Sequence, residues 1–547
     1  MLTYNKNKPH KIKRTDKPWL LFILAIIWVF GTVFFHSPWE PYEPFVFAVV
    51  KGIVSNNSWF VPYISGVPYA EIQPFYFWFY ASIIKLFNIT DINYIANTIR
   101  IINTLIIFGV LFVMGRVGSG LVSFKSGRTT ILILISMFGF VNVAYKLSPD
   151  ILILFGMSLY LYALQKYKTL PGISSWILFL GLLFLSIHFT CEFLFISIIT
   201  LFLLPILDDH WRNVKYFITT SIGLLLFMII FYLYCIQLQH VNIEFFHQWK
   251  SRYFNLFKRD NYNFWIHTYN TLQFLLWYVA PGWVLMFWSI WKRRDNIFQD
   301  KTIEVGVVLF ILFFIFACIS GNNPEDVIFP VILIVPLIGA MEVDSIKITI
   351  VSFFNSFSII AFGFIGFLLW IGYFILNIPN VHNKFFRYII SIAQDYKHHF
   401  HAWQILLATL ITVIWLIMIT RRHIRGREMV TNWACGSTFV LILSLALWLP
   451  WFDSVLTFKP IVDASLKYLN KNKCIATNQP NSTQMALWYY YHNINLIPTF
   501  INLNNSICNQ GVVATENPNI IDEKEWRIVW MGRRPIDRKI YYVIKHK

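Results

Sequence analysis

The chain has 547 residues, of which 57% are hydrophobic and only 13% are charged, with a mean hydropathy of +0.57. Soluble globular proteins carry about 25% charged residues, so the composition excludes an ordinary soluble protein and predicts a polytopic membrane protein. The formal net charge is +18, but the basic residues form short clusters between apolar runs. Such clusters are typical of membrane topology signals, and we expect no nucleic-acid partner.

Apolar runs that are long enough, or nearly long enough, to cross a bilayer predict an all-α membrane domain with about thirteen spans. The runs lie at 18–36, 98–116, 128–147, 151–166, 174–188, 192–207, 214–236, 267–291, 303–320, 327–342, 346–376, 403–420 and 432–451. A shorter aromatic run at 74–88 predicts an interfacial helix. The basic clusters place the N-terminus in the cytoplasm by the positive-inside rule. An odd number of spans then places the C-terminus outside the cytoplasm.

The composition changes near Asp453, which predicts two domains. We predict a multi-spanning membrane domain over residues 1–452 and a small extracytoplasmic α/β domain over residues 453–547. In the second domain CIAT, GVVAT, WRIVWMG and KIYYVIKH have the composition of short strands. Cys474 and Cys508 lie in this region and could pair if it is outside the cytosol. The other four cysteines lie in or beside apolar runs, where they suit the role of small hydrophobic residues.

Residues 37–97, between the first two runs, are rich in aromatic residues and proline and do not resemble an ordinary hydrophilic loop. We predict an extracytoplasmic active-site loop that lies against the bilayer, where Trp and Tyr favour the headgroup level. Glu43 and Glu71 lie in this loop, and Asp150 opens a later run on the same predicted face. A carboxylate beside apolar sequence is costly unless it is solvated, paired or bound to a cation. The three acids are therefore candidates for function, the alternative being that each lies in the aqueous headgroup zone.

The order of several short motifs resembles a family of membrane enzymes. The motifs are Trp39–Glu43, Trp59–Pro62 with Gly66, Glu71–Trp78 and Ser148–Asp150. This order is similar to that of the GT-C class glycosyltransferases, specifically the aminoarabinose (lipid A) transferase and protein mannosyltransferase group. The resemblance implies transfer of a sugar from a polyprenyl-phosphate donor to an envelope glycolipid, glycan or protein acceptor. It also implies that this transfer takes place at the outer face of a bacterial inner membrane.

The resemblance implies roles for particular residues. Glu43 and Asp150 are expected at the catalytic centre, where a carboxylate can deprotonate an acceptor hydroxyl. Glu71 is expected to orient the substrate or to bind a divalent metal ion of unknown identity, with His247 as a further candidate ligand. The histidines of Lys397–His401 could also bind a metal, but a solvated loop is the favoured interpretation of so unspecific a motif.

The cations that hold the carrier phosphate in the family are missing from their expected places. Phe45 stands where the family has an Arg two residues after the Glu of an Asp-Glu pair, Ile72 replaces the Lys of Glu-Lys-Pro-Pro, and Thr190-Cys191-Glu192 replaces Thr-Lys-Gly. The Asp of the Asp-Glu pair is also missing, since its place is taken by Tyr42. A later lysine position falls on Asn323 or Asp326. Basic residues on the same predicted face could replace these cations, namely Lys51, Lys146, Lys250 and Arg252. Each of them could instead extend its charge to the membrane interface.

From these positions we predict that Glu71, Tyr42, Lys146 and Arg252 bind substrate. The missing cations also support an alternative, in which the chain keeps the fold but binds a polyprenyl lipid or glycan without the usual catalysis. A transporter would need polar or ionisable residues inside several spans, whereas the predicted spans are almost purely aliphatic and aromatic.

Overall fold

The computed structural model is mostly helical, and it describes residues 19–31, 36–121, 124–257, 262–295, 297–377, 388–389, 391–393, 396, 401–420, 426–479, 482–498, 508–517, 521–522, 524–534 and 536–547. The helices up to the middle of the chain are α1 (Trp19–Phe30), α2 (Glu43–Asn56), α3 (Pro74–Leu86), α4 (Ile92–Ser119), α5 (Phe124–Ser136), α6 (Phe138–Tyr145), α7 (Asp150–Lys166), α8 (Pro171–Leu185), α9 (Glu192–Leu207), α10 (Val214–Val241) and α11 (Ile243–Tyr253). The later helices are α12 (Phe264–Tyr278), α13 (Gly282–Arg293), α14 (Lys301–Ile319), α15 (Pro324–Ile328), α16 (Val331–Gly339), α17 (Ile348–Asn377), α18 (Ala402–Ile419), α19 (Gly426–Leu456), α20 (Lys459–Leu466) and α21 (Thr483–His492).

Among these described residues, six helices are long and apolar enough to cross a membrane, namely α4, α10, α14, α17, α18 and α19. The bent pairs α5–α6 and α12–α13 raise the number to eight if each pair is one span. The fold is therefore that of a polytopic membrane protein, as the composition predicted. The number of thirteen spans is not confirmed. The runs at 151–166, 174–188 and 192–207 fold as α7, α8 and α9, which have 17, 15 and 16 residues, fewer than the roughly 20 that a typical span needs.

The predicted active-site loop folds as α2, a small hairpin and α3. The hairpin pairs β1 (Tyr63–Ile64) with β2 (Val67–Pro68) in an antiparallel register. Ser65 and Gly66 form its turn, with φ of 53° and 81°. A two-residue turn with positive φ at both positions matches the right-handed twist of the two strands. Helix α3 occupies the run predicted as an interfacial helix and buries one aromatic face in the protein.

The C-terminal region forms the predicted α/β domain around a five-stranded sheet. Its strands are β3 (Ile475–Thr477), β4 (Leu496–Pro498), β5 (Gln510–Thr515), β6 (Trp526–Gly532) and β7 (Ile540–His546), in the order β4-β3-β5-β7-β6. Strand β3 pairs in parallel with β4 and β5, and β7 pairs antiparallel with β5 and β6. A disulfide joins Cys474, just before β3, to Cys508, two residues before β5. The boundary at 453 stays a prediction, since α19 continues to Leu456.

The C-terminal domain packs directly on the active-site loop. The Ser65 hydroxyl donates to the carbonyl of Met485 at 3.0 Å, and Lys51 Nζ donates to the carbonyl of Tyr490 at 2.6 Å. The Tyr490 hydroxyl donates to the carbonyl of Ile92, at the start of α4, at 2.8 Å. The loop and the domain therefore lie at the same end of the helical bundle. Which side of the membrane this end faces stays a prediction from the basic clusters.

Candidate active site

A cavity of about 370 Å³, with polar and charged groups in a largely apolar lining, lies beneath the active-site loop, between α4, α6 and α19. Its size falls within the range of roughly 300–1,000 Å³ that is usual for ligand sites. Its polar lining includes His36, Glu40, Tyr42, Glu43, Arg100, Asn103, Asn142 and Lys146, and Leu441 and Leu445 of α19 complete an apolar wall. Three residues predicted to act on substrate, Tyr42, Glu43 and Lys146, thus line one cavity.

Lys146 directly follows α6 and lines the cavity. It is paired with a carboxylate that was not predicted from the sequence. Its Nζ lies 2.5 Å from Oε1 of Glu325, which also accepts a hydrogen bond from Asn142 Nδ2 at 2.8 Å. Burial opposes ionisation of Glu325, but the contacts with Lys146 and Asn142 outweigh it and lower the pKa of Glu325. Glu325 is therefore an anion that holds Lys146 and Asn142 in place.

Asp150 lies beside this pair but does not itself line the cavity. It begins α7, and the Ser148 hydroxyl donates to its Oδ2 at 2.9 Å. Tyr42 stands at the start of α2 and faces the carboxylates of Asp150, Asp326 and Glu325. Burial, and then these negative charges, raise the pKa of Tyr42 well above its ordinary value. The Tyr42 hydroxyl therefore stays protonated and can donate a hydrogen bond.

Glu43 forms another wall of the cavity and is held in a two-point ion pair with Arg100. Arg100 Nε donates to Oε1 of Glu43 at 3.0 Å, and Nη2 donates to Oε2 at 2.9 Å. The backbone N–H of Trp39 also donates to Oε2 at 2.9 Å. Arg100 further donates to the carbonyls of His36 and Ser37. Both carboxylate oxygens of Glu43 already accept charge-assisted hydrogen bonds from Arg100. Glu43 is therefore suited to holding Arg100 at the cavity wall.

Asn103 supplies an unpaired acceptor to the cavity. It is one helical turn beyond Arg100 on α4, it is 6% exposed, and it lines the cavity. Its Oδ1 is buried and has no hydrogen-bond partner among the described residues. Because a buried polar atom without a partner costs roughly 1–3 kcal/mol, this oxygen is suited to accept a hydrogen bond from a ligand hydroxyl or amine.

Glu71 and Arg252 form a half-exposed ion pair with each other, and their binding of substrate stays a prediction. The Tyr69 hydroxyl interacts electrostatically with this pair and with Tyr42. His247 is exposed on α11. Among the described residues, no group of three or more His, Cys, Asp or Glu could hold a metal ion. The metal ion stays a prediction, and Lys397–Phe400 lie outside the described residues.

The turn at Thr190-Cys191-Glu192 carries a buried acid, Glu192, directly after Cys191, which stands at the expected lysine position. Glu192 Oε1 lies 3.1 Å from Nδ1 of His188, with both side chains at most 3% exposed. Glu192 also accepts a hydrogen bond from Asn322 Nδ2 at 3.4 Å. His188 in turn interacts electrostatically with Asp150. This turn therefore carries a buried His–Glu pair that interacts electrostatically with the predicted catalytic acid.

The comparisons with known proteins find a similarity in structure rather than in sequence. No protein-family model and no curated protein matches the chain. Its structure superposes on the crystal structure of ArnT from Cupriavidus metallidurans bound to undecaprenyl phosphate, with a TM-score of 0.67 over 96% of this chain and 97% of that chain. The chain has the ArnT fold.

The apo state of the same ArnT gives a TM-score of 0.66 at the same coverage. The sequence identities are 12% and 13%. Identity this low shows the fold alone, and for the fold the resemblance to the aminoarabinose transferases is confirmed. The match covers the helical bundle, the active-site loop and the C-terminal domain together, since almost the whole of both chains is aligned.

The partners of the predicted residues were not predicted from the sequence. Arg100 had a signal, because it is an ionisable residue near the start of the apolar run 98–116, and an ionisable residue inside a span is a functional candidate by default. Glu325 precedes Asp326, which the analysis did consider. Asn103 and Asn142 had no signal, since a single amide in an apolar run has no distinctive spacing.

Proposed function

We propose that the chain is a glycosyltransferase of the bacterial inner membrane that moves a sugar from a polyprenyl-phosphate donor to an envelope glycolipid, glycan or protein. The observation that carries the proposal is the cavity beneath the loop of an ArnT-like fold. In this proposal the N-terminus is cytoplasmic, and the cavity and the C-terminal domain are periplasmic. The ArnT structure with undecaprenyl phosphate supports a polyprenyl-linked donor.

The proposed reaction is a single displacement with inversion at the sugar. The acceptor hydroxyl oxygen attacks the anomeric carbon, and the bond from that carbon to the donor phosphate oxygen breaks. The electron pair leaves with the phosphate, and the hydroxyl proton passes to a carboxylate. We assign Asp150 as this base, because it is the predicted acid whose carboxylate interacts electrostatically with both Lys146 and Tyr42, two residues that line the cavity.

Lys146 is the proposed contact for the leaving phosphate. It lines the cavity, and its side chain is 33% exposed. A cation placed where negative charge develops stabilises the transition state. Glu325 holds the ammonium in position and itself accepts a hydrogen bond from Asn142. The neutral Tyr42 hydroxyl and Asn103 Oδ1 are the proposed contacts for sugar hydroxyls. The proposed mechanism contains no metal step.

A second candidate function is binding of a polyprenyl lipid or glycan without catalysis. The observation in its favour is that both cations of the cavity are already paired with carboxylates, Arg100 with Glu43 and Lys146 with Glu325. Such pairs lower the positive potential that a phosphate would meet. The two candidates differ in what they predict for Asp150, since a binding protein does not need a base.

The test compares envelope glycolipids by mass spectrometry in a strain that lacks the gene and carries plasmid-borne variants. We expect the gene deletion to remove one glycosylated species and Asp150→Asn to leave it absent at normal protein level. Lys146→Gln should reduce it by at least tenfold. Lys250→Gln is the matched control, because it removes a cation from α11 that lines no part of the cavity.

The outcomes separate the two candidates. If Asp150→Asn restores the wild-type glycolipid profile while the deletion changes it, the catalytic assignment is wrong and the binding function is favoured. If Lys250→Gln reduces the product as strongly as Lys146→Gln, the cavity is not the site of transfer.

A further inference from the structure

A second groove, of about 490 Å³, lies between α1, α5, α18 and α19. It opens at the end of the bundle opposite the C-terminal domain. Helix α4 connects the two ends. Its first residue, Ile92, contacts Tyr490 of the C-terminal domain, and its 28 residues extend for roughly 42 Å away from that contact. Helix α5, which begins just after the far end of α4, contributes Lys125 and Arg128 to the groove. We call it the distal groove.

The distal groove changes from charged to apolar along one stripe of α19. Arg427, Thr431, Cys435, Phe439 and Ile442 all line it, and they recur every three or four residues along the helix. Such spacing puts them on one face. Along the stripe, the side chains change from the guanidinium of Arg427 through the hydroxyl of Thr431 to the apolar side chains of Phe439 and Ile442. It covers roughly 22 Å at 1.5 Å per residue, which is most of the roughly 30 Å hydrocarbon thickness of a bilayer.

The charged end of the distal groove is basic. Lys125, Arg128 and Arg427 line it, and no acidic side chain does among the described residues that form it. Arg427 is paired with Asp344. Lys125 is exposed at the start of α5. A ligand whose head lies here therefore meets positive charge.

The other end of the distal groove is built from apolar side chains of three helices. Leu24 and Ile27 of α1 face Ile411 and Trp415 of α18. The Trp415 ring stacks on Phe439 of α19, with centroids 4.6 Å apart and planes at 7°. This stack joins α18 to α19 and fixes the shape of the apolar end. The space is therefore suited to a hydrocarbon chain.

We propose that the distal groove binds one anionic phospholipid from the leaflet at that end of the bundle. An acyl chain would occupy the apolar end, and the phosphate would contact Lys125 and Arg128. Basic pockets between transmembrane helices are known to bind anionic headgroups. A zwitterionic lipid fits less well, because its ammonium group would approach the same cations. The cavity beneath the active-site loop is at the other end of the bundle, so this site is separate from the proposed donor site.

The test is native mass spectrometry of the full chain in detergent with equal amounts of phosphatidylglycerol and phosphatidylcholine of identical acyl chains. We expect one retained phosphatidylglycerol in preference to phosphatidylcholine. Lys125→Gln should lower this preference about fivefold, since a basic residue near a membrane surface contributes about 1 kcal/mol to binding of an anionic lipid. Ile414→Trp, which fills the groove from α18, should reduce retention of both lipids.

Lys347→Gln is the matched control. Lys347 is exposed just before α17, three residues from Asp344, so the same charge is removed from the same end of the bundle without altering the groove. Equal retention of the two lipids by the unmodified protein would overturn the proposal. So would an equal loss of preference in Lys347→Gln and Lys125→Gln. Retention of undecaprenyl phosphate at this groove in place of phosphatidylglycerol would show that the occupant is wrong. If Ile414→Trp does not fold, Lys125→Gln and its control decide alone.

Discussion

Replacing Glu43 by glutamine should destabilise the protein, because it leaves the Arg100 guanidinium buried without a counter-ion. The Arg100 side chain is 3% exposed and that of Glu43 is 12% exposed. Removing one partner of such a pair costs about 3–5 kcal/mol. The glutamine amide oxygen can still accept one of the two hydrogen bonds, so we expect the lower end of this range, about 3 kcal/mol.

The chain offers an internal comparison for this prediction. Glu71 and Arg252 form an ion pair whose side chains are 36% and 45% exposed. Exposed pairs contribute about 1 kcal/mol or less, so Glu71→Gln should have a small effect. The assay is the apparent thermal transition of each variant in detergent, followed by tryptophan fluorescence. Because a chain with a membrane domain and a separate sheet domain need not unfold in one step, the order of the transitions is compared rather than a free energy.

Two results would refute the reasoning. The first is that Glu43→Gln and Glu71→Gln lower the transition equally, which would mean that burial of the pair does not matter. The second concerns the double variant Glu43→Gln with Arg100→Gln, which removes the uncompensated charge and should recover part of the lost stability. If the losses of stability from the two substitutions simply add in the double variant, the buried charge is not the cause of the loss.

Three further predictions test other parts of the fold. Reduction of the disulfide Cys474–Cys508, which closes a sequence separation of 34 residues, should cost the C-terminal domain about 4 kcal/mol and speed its proteolysis. Burial lowers the pKa of Lys51 to about 8. The unfolded chain then binds more protons between about pH 8 and pH 10, so thermal scans should show wild type gaining stability relative to Lys51→Met as pH rises through this window. Gly127→Ala should cost roughly 1–3 kcal/mol, because its Cβ would lie 2.3 Å from a carbonyl oxygen of α4, whereas Gly172→Ala meets nothing within 4 Å and should leave the transition unchanged.

The sequence predicted the C-terminal domain well, because strand and helix signals are local. The segments CIAT, GVVAT, WRIVWMG and KIYYVIKH all contain strands of the sheet. The pairing of Cys474 with Cys508 was predicted as conditional, and the structure contains it. The strand order was not predictable in the same way, since it depends on contacts between segments that are distant in sequence.

The number of spans was less predictable, for a physical reason. An apolar run shows that a segment avoids water, but it does not show whether lipid or other protein covers it. The 15-residue helix α8 and the 17-residue helix α7 pack on each other, with Gly156 and Gly181 at their contact. Helices covered in this way keep an apolar sequence although each is short for a span.

Acids of the candidate site were selected from the sequence, but the ion-pair partners of Glu43 and Lys146 were not. Asp150 and Lys146 were selected from their positions beside apolar runs, and in the structure their charges interact electrostatically. Glu325, which holds Lys146, is 179 residues away in sequence. Such a partner can be found only when the fold is known, because no sequence spacing connects the two residues.

The packing of the C-terminal domain on the active-site loop has a consequence for biosynthesis. The contact between Ser65 and Met485 joins residues 420 positions apart. At about 5–20 residues per second, roughly 20–80 s of translation separate their synthesis. During that interval the buried face of α2 has no cover from the C-terminal domain. The loop therefore reaches its final packing only after the C-terminal domain has been synthesised and has folded against it.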